Sequence, residues 1–234
     1  MYSKNGFRWS DADAYLFDID GTLLVTKDLV HYNAINDAML EVYGIATTID
    51  GIAYHGKTDL GILRAALHRA GVSAQAFEAK LPAALDVVCR KVTDSASKIR
   101  PKVCSAIPRI LQNLQASGKL LGVASGNLES VGWHKVEAAG LREFFSFGCF
   151  SDQRESRADI FAEGVREARQ RIGDEAKVCF FGDTPEDVKA AKSVGAHIVA
   201  VCTGIFPADE LISYGPDLCV SSCEELFAAG GNTR

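Results

Sequence analysis

Continuous apolar runs at Tyr15–Phe17, Leu120–Ala124, Val178–Phe181, Ile198–Val201 and, less sharply, Leu218–Val220 alternate with segments of helical spacing, and this alternation restricts the fold more than any other feature of the chain. A run without polar interruption marks a strand covered on both faces, and strands separated by helices build a parallel sheet. Helices are predicted over residues 107–116, 128–139, 159–172 and 185–194, with Gly118, Gly140, Gly173 and Gly195 as their C-terminal punctuation. The expectation is an α/β protein with a doubly wound parallel sheet.

One interval breaks the alternation. Between the first strand and the helix preceding the second lies far more chain than a single crossover needs. Apolar residues recur there at helical spacing from His31 to Tyr43, from Asp59 to Ala70 and from Ala76 to about Ala96. The division this implies is a core of residues 1–26 and 99–234 with a small helical domain, residues 27–98, inserted into it. The crossings near Val25–Val30 and Ser97–Arg100 are candidate hinges.

A chain of 234 residues, 47% hydrophobic and 24% charged, can bury a sizeable core and is not of disordered composition. A net charge of −5 with no basic stripe argues against a nucleic-acid partner. The N-terminal residues lack the apolar core of a signal peptide and no apolar stretch is long enough for a bilayer, so a cytoplasmic protein without a membrane partner is expected. The seven cysteines are scattered without a Cys-x-x-Cys pair, which speaks against a disulfide framework or a zinc site.

Ligands of an open α/β sheet bind beyond the C-terminal ends of its strands. Asp18 and Asp20 follow the first strand, Ser125-Gly126-Asn127 the second, and Gly182-Asp183-Thr184-Pro185-Glu186-Asp187 the third. Residues two apart on a strand face the same way, and a buried pair of like charges is costly without a cation or a proton. Each group also has a plainer reading. Asp-Gly ends strands in turns, an isolated Ser125 would cap a helix, and Thr184-Pro185-Glu186-Asp187 is a good helix start in which Asp187 either caps or supports a metal. In His55-Gly56-Lys57-Thr58-Asp59, Lys57 either touches a ligand or is solvated beside a capping Thr58. His31, His68, His134 and His197 show no ligand spacing and read as surface or packing residues, and Thr203-Gly204 reads as a turn beside the site.

The set Asp18-x-Asp20-Gly-Thr22, Ser125 and Gly182-Asp183-x-x-x-Asp187 resembles the motifs of the haloacid dehalogenase-like hydrolase superfamily, and the resemblance covers most of the chain. The helical insertion is similar to the C1-type cap of its phosphoglycolate phosphatase-like and β-phosphoglucomutase-like branches. The resemblance implies a Rossmann-like core and a Mg2+-dependent phosphomonoester hydrolase of a small phosphorylated metabolite. Asp18 would be the nucleophile that forms an aspartyl phosphate, and Asp20 the acid and then the base. Asp18, Asp20 through its backbone carbonyl, Asp183 and Asp187 would form the metal site. Thr22, Ser125, Gly126, Asn127 and Lys57 would meet the phosphate or the substrate. The chain departs from the family at its active-site cation, usually a Lys followed by Pro; the segment 150–161 offers Arg154 and Arg157 instead, and Arg157, immediately before a helix, is preferred. A sugar-phosphate mutase would keep both aspartates, and a non-catalytic phosphate-binding module is the alternative of another class; the presence of both acids beside Asp183 argues against the module.

Overall fold

A computed structural model describes residues 1–4 and 6–228. Among the described residues nine strands run in chain order: β1 (Tyr2–Ser3), β2 (Ala14–Phe17), β3 (Leu24–Thr26), β4 (Pro101–Val103), β5 (Leu120–Ala124), β6 (Phe147–Cys149), β7 (Val178–Gly182), β8 (His197–Val201) and β9 (Leu218–Val220). Nine α-helices accompany them: α1 (Val30–Tyr43), α2 (Asp59–Arg69), α3 (Ala74–Asp94), α4 (Ile107–Ala116), α5 (Glu129–Ala138), α6 (Arg157–Ile172), α7 (Pro185–Ser193), α8 (Ala208–Ser213) and α9 (Glu225–Ala228).

Seven strands form one sheet in the order β1-β9-β8-β7-β2-β5-β6, all parallel except β1, which pairs antiparallel with β9 at the edge. Side chains of β2 alternate between two apolar layers. Tyr15 and Phe17 join Ile110, Leu111 and Leu114 of α4 on one face, while Ala14 and Leu16 join Ile160, Phe161 and Val165 of α6 on the other. Cys179 and Phe181 of β7 continue the first layer, Val178 and Phe180 the second. Both faces are therefore covered, which is why these strands carry no polar positions.

β2 lies between β5 and β7, and from it the chain proceeds first toward one edge and later toward the other. A crevice opens where the connections diverge in this way. Asp18, Ser125 and Asp183 each follow one of these three central strands.

The insertion consists of α1, α2 and α3 around an apolar cluster of their own, including Ile35, Met39, Leu63, Leu67, Phe77 and Val88. Leu128 and Val131, at the start of α5, complete that cluster and dock it on the core. The two crossings do not run as separate linkers: β3 and β4 pair antiparallel, with Val25 opposite Lys102 and Thr26 opposite Pro101. Beyond the ribbon, the Asp28 carboxylate accepts from the N–H of Val30 at 3.2 Å and of Arg100 at 2.9 Å, tying the two crossings together. All seven cysteines are free. No helix among the described residues is long and apolar enough to cross a membrane.

Candidate active site

Asp18 extends β2, its N–H bonded to Phe181 O at 2.9 Å, and it converges with the first turn of α7 and the first residue of α6. Asp18, Asp183 and Asp187 are all buried, and oxygens of the three carboxylates lie within 4.8 Å of one another. A single guanidinium faces them. Arg157 sits 2.8 Å from Asp18 Oδ1, and its Nε donates to Asp187 Oδ1 at 2.5 Å. Arg154 lies elsewhere, paired with Glu163 at the surface.

Asp187 does two things at once. Its Oδ2 accepts from the Thr184 N–H at 3.0 Å and the Thr184 hydroxyl at 2.7 Å, completing a capping box on α7, while Oδ1 takes Arg157. The hydroxyl of Thr22, expected to meet the phosphate or the substrate, donates to Asp183 Oδ1 at 3.2 Å. The space around Asp183 is kept free of side chains by two glycines, since a Cβ at Gly21 (φ +84) or Gly204 would strike its carboxylate. Gly204 thus shapes the site and is more than the neighbouring turn expected from the sequence.

Burial and neighbouring acids set the proton affinities here. Burial pushes Asp18 up to about 6 against the pull of Arg157, with Asp187 and Asp20 adding to the rise. Burial, then Asp187 and Asp18, raise Asp183 well above the ordinary carboxylate range. Asp20 behaves oppositely. Burial alone would raise it, but the charge of Lys135 and hydrogen bonds from Lys135 (2.7 Å) and Asn127 Nδ2 (2.8 Å) outweigh that and hold it below the usual range. The Asp20 carboxylate stands apart from the acidic trio, 42% exposed toward the cavity.

Lys135, on α5, is the residue that sequence reasoning missed. Its ammonium is buried and uses all three donors, on Asp20, on Asn127 Oδ1 at 2.8 Å and on His31 Nδ1 at 3.2 Å. Because an ammonium can only donate, His31 accepts at Nδ1 and carries its proton on Nε2, 3.1 Å from Asp59 Oδ2. Asp59 Oδ2 also accepts the N–H of Leu128 at 2.8 Å, and the Asp59 N–H returns a bond to Gly126 O. His31, expected to be a packing or surface residue, is therefore a link in a polar chain from Asp20 to the insertion. The available signal was a lysine on the buried stripe of α5, between Val131 and Val136.

Ser125 caps no helix. α5 begins at Glu129, and Ser125 Oγ instead accepts from Asn127 Nδ2 at 2.9 Å. Ser125, Gly126, Asn127, Asp18, Asp20, Arg157 and Asp183 line one cavity, with Lys57 at its rim. Gly126 lies tight against the insertion, where a Cβ would come within 2.6 Å of Lys57 O. Thr58 caps α2 by accepting from Gly61 N at 3.1 Å.

The haloacid dehalogenase-like hydrolase family model matches residues 15–201, from β2 through β8. The chain belongs to this family. Among curated relatives, the Probable phosphatase IndB of Dickeya dadantii (strain 3937) is 29% identical over 117 residues, and the chain spans about half the length of that relative. Among solved structures, CbbY from Rhodobacter sphaeroides in complex with phosphate is similar with a TM-score of 0.67 at 18% identity, covering 92% of this chain and 96% of that one. The haloacid dehalogenase-like family protein SP0104 from Streptococcus pneumoniae aligns with a TM-score of 0.63 at 18% identity, covering 95% of this chain and 99% of that one. Two buried cations stand at this site, Arg157 at the start of α6 and Lys135 on α5.

Proposed function

We propose that this chain hydrolyses phosphomonoesters of small phosphorylated metabolites through an aspartyl phosphate on Asp18, with Mg2+ as its metal. The observation that carries the reading is that three buried carboxylates, Asp18, Asp183 and Asp187, converge beside Arg157, while Asp20, two residues on from Asp18, stands apart in the same cavity, held by Lys135 and Asn127. Asp18 attacks phosphorus; the bond from phosphorus to the alcohol oxygen breaks and that oxygen takes a proton from Asp20. Water then attacks the acyl phosphate and yields its proton to Asp20, releasing inorganic phosphate and restoring the Asp18 carboxylate. Lys135 keeps Asp20 ionised in the free site, and an arriving phosphate dianion raises its proton affinity for the first step.

The donor set fits a hard dication. Three buried carboxylates share one guanidinium, and glycines leave room beside Asp183. Asp18, Asp183, Asp187 and the backbone carbonyl of Asp20 would hold the metal, which supplies the positive charge that lets an anionic carboxylate meet an anionic phosphate. Ser125, Gly126 and Asn127 receive phosphate oxygens, Arg157 neutralises and orients Asp18, and Lys57 approaches the ester from the rim. Residues 27–98 act as the cap over a core of residues 1–26 and 99–234, closing to exclude water from the first step. Their separate apolar cluster and the paired crossings at β3 and β4 support that division. The phosphate bound by the similarly folded CbbY supports the substrate class.

The test is inorganic phosphate release from a panel of phosphomonoesters with Mg2+ or EDTA, comparing the native chain with Asp18→Asn. Metal-dependent release that the substitution abolishes is the expected result. Folded protein that binds Mg2+ and releases nothing overturns the reading; if it isomerises a sugar phosphate instead, the chain is a mutase.

A further inference from the structure

Seven large apolar side chains are exposed among the described residues, and four of them, Val25, Leu29, Tyr54 and Ile205, line the cavity that Asp18 and Asp20 also line. Their exposures run from 37% for Val25 to 61% for Ile205. Scattered apolar side chains on a surface need no explanation, but a cluster of them at the mouth of a site does. They come from three parts of the chain: the β3 crossing with the residues entering α1, the loop before α2, and the loop after β8. Ile49 and Ile62 extend the same apolar wall inward.

The cavity measures about 470 Å³, a size that takes a drug-sized body rather than a phosphate with two or three carbons. Several polar groups on its walls already have partners. The Tyr32 hydroxyl donates to Asp50 at 2.9 Å, Asp28 is committed to the two crossings, and His31, Asp59 and Lys135 bind one another. Two lining lysines, Lys27 and Lys57, form no ion pair among the described residues; both are exposed, and Lys57 stands on the phosphate side beside Gly126. On the side that would receive the alcohol, the walls offer hydrocarbon and ring faces, with the Tyr54 and His55 rings 4.3 Å apart between centroids.

We propose that the ester accepted by this site carries its phosphate on an apolar, ring-bearing alcohol, as in an arylalkyl phosphate, rather than on a short hydroxy acid or a sugar. The proposal rests on the reading of the site as a phosphomonoesterase and names the class of its leaving group. The walls select that class by removing its apolar area from water, while the reacting atoms stay with Asp18 and Asp20.

The deciding experiment compares kcat/KM for benzyl and 2-phenylethyl phosphate with that for phosphoglycolate and glycerol 3-phosphate, all aliphatic esters, so that an activated aryl leaving group does not distort the order. Native protein with Mg2+ should prefer the arylalkyl esters roughly tenfold or more. Tyr54→Ser and Leu29→Ser, both at exposed positions, should each narrow the arylalkyl-to-phosphoglycolate ratio about fivefold, chiefly through KM. Preference for phosphoglycolate, whose carboxylate would be assigned to Lys27, or for glycerol 3-phosphate overturns the proposal, as does a ratio that neither substitution moves. Binding of benzylphosphonate and phosphonoacetate to the Asp18→Asn protein, by calorimetry with Mg2+, gives a readout free of turnover. If no ester is hydrolysed, the phosphatase reading falls, while tighter benzylphosphonate binding still supports the apolar site and equal, reversed or absent binding overturns it.

Discussion

The two sides of the cavity handle negative charge in opposite ways. Around Asp18, three buried carboxylates share Arg157, and the imbalance appears as raised proton affinities at Asp18 and Asp183. Around Asp20, Lys135 and Asn127 leave the carboxylate over-compensated and its proton affinity low. One side is short of a positive charge, the condition a metal would relieve; the other has its cation built in. Nearly identical chemistry two residues apart in sequence is thus given two roles by the helices that meet it, α6 and α7 for Asp18 and α5 for Asp20.

The comparison breaks first at Asp18. Asp18→Asn should lower turnover by at least about a thousandfold, since it removes the attacking oxygen, while raising the melting temperature of the metal-free protein at pH 7.5. The sign follows from linkage: Asp18 rises from 3.8 to about 6 on folding, so the folded chain keeps a proton the unfolded chain has lost. Metal-free stability then falls as pH rises from about 4 through about 6, and calorimetry across that window should find this part of the slope missing in the variant. Next, Arg157→Gln takes away the trio's only guanidinium and should cost the metal-free protein about 3 kcal/mol in denaturant unfolding, with saturating Mg2+ recovering a large part. On the other side, Lys135→Met should lower kcat/KM by about tenfold and move the acidic limb of its pH profile upward, because Asp20 loses the charge that holds its proton affinity down. An acidic limb that stays in place would separate Lys135 from the chemistry.

The fold could be read from the chain wherever structure is local. Uninterrupted apolar runs gave β2, β5, β7, β8 and β9, and apolar periodicity gave the three helices of the insertion within a few residues. What escaped depends on distant pairing. β6 is only Phe147–Cys149 with a glycine at its centre, β1 is two residues at an edge, and β3 and β4 become strands only by pairing with each other. Asp18 and Asp183 carried their motifs openly at strand ends. Lys135 did not, because the partner that gives it a role, Asp20, lies 115 residues away, and its place on the buried stripe of α5 does not name that partner. Asp59 likewise marked only the start of a stretch of helical spacing, while its partners His31 and Leu128 lie on α1 and just before α5.

Those two residues have a consequence for re-engineering the protein. His31 and Asp59 belong to the insertion, yet they finish the hydrogen bonding of Lys135 and of the backbone at Leu128 and Gly126. A chimera that transplants a foreign helical insertion between β3 and β4 exchanges more than a recognition surface. Unless the graft brings a histidine and an acid to the same two positions, the recipient core inherits a buried ammonium with one donor unmet and a loop after β5 that has lost its brace.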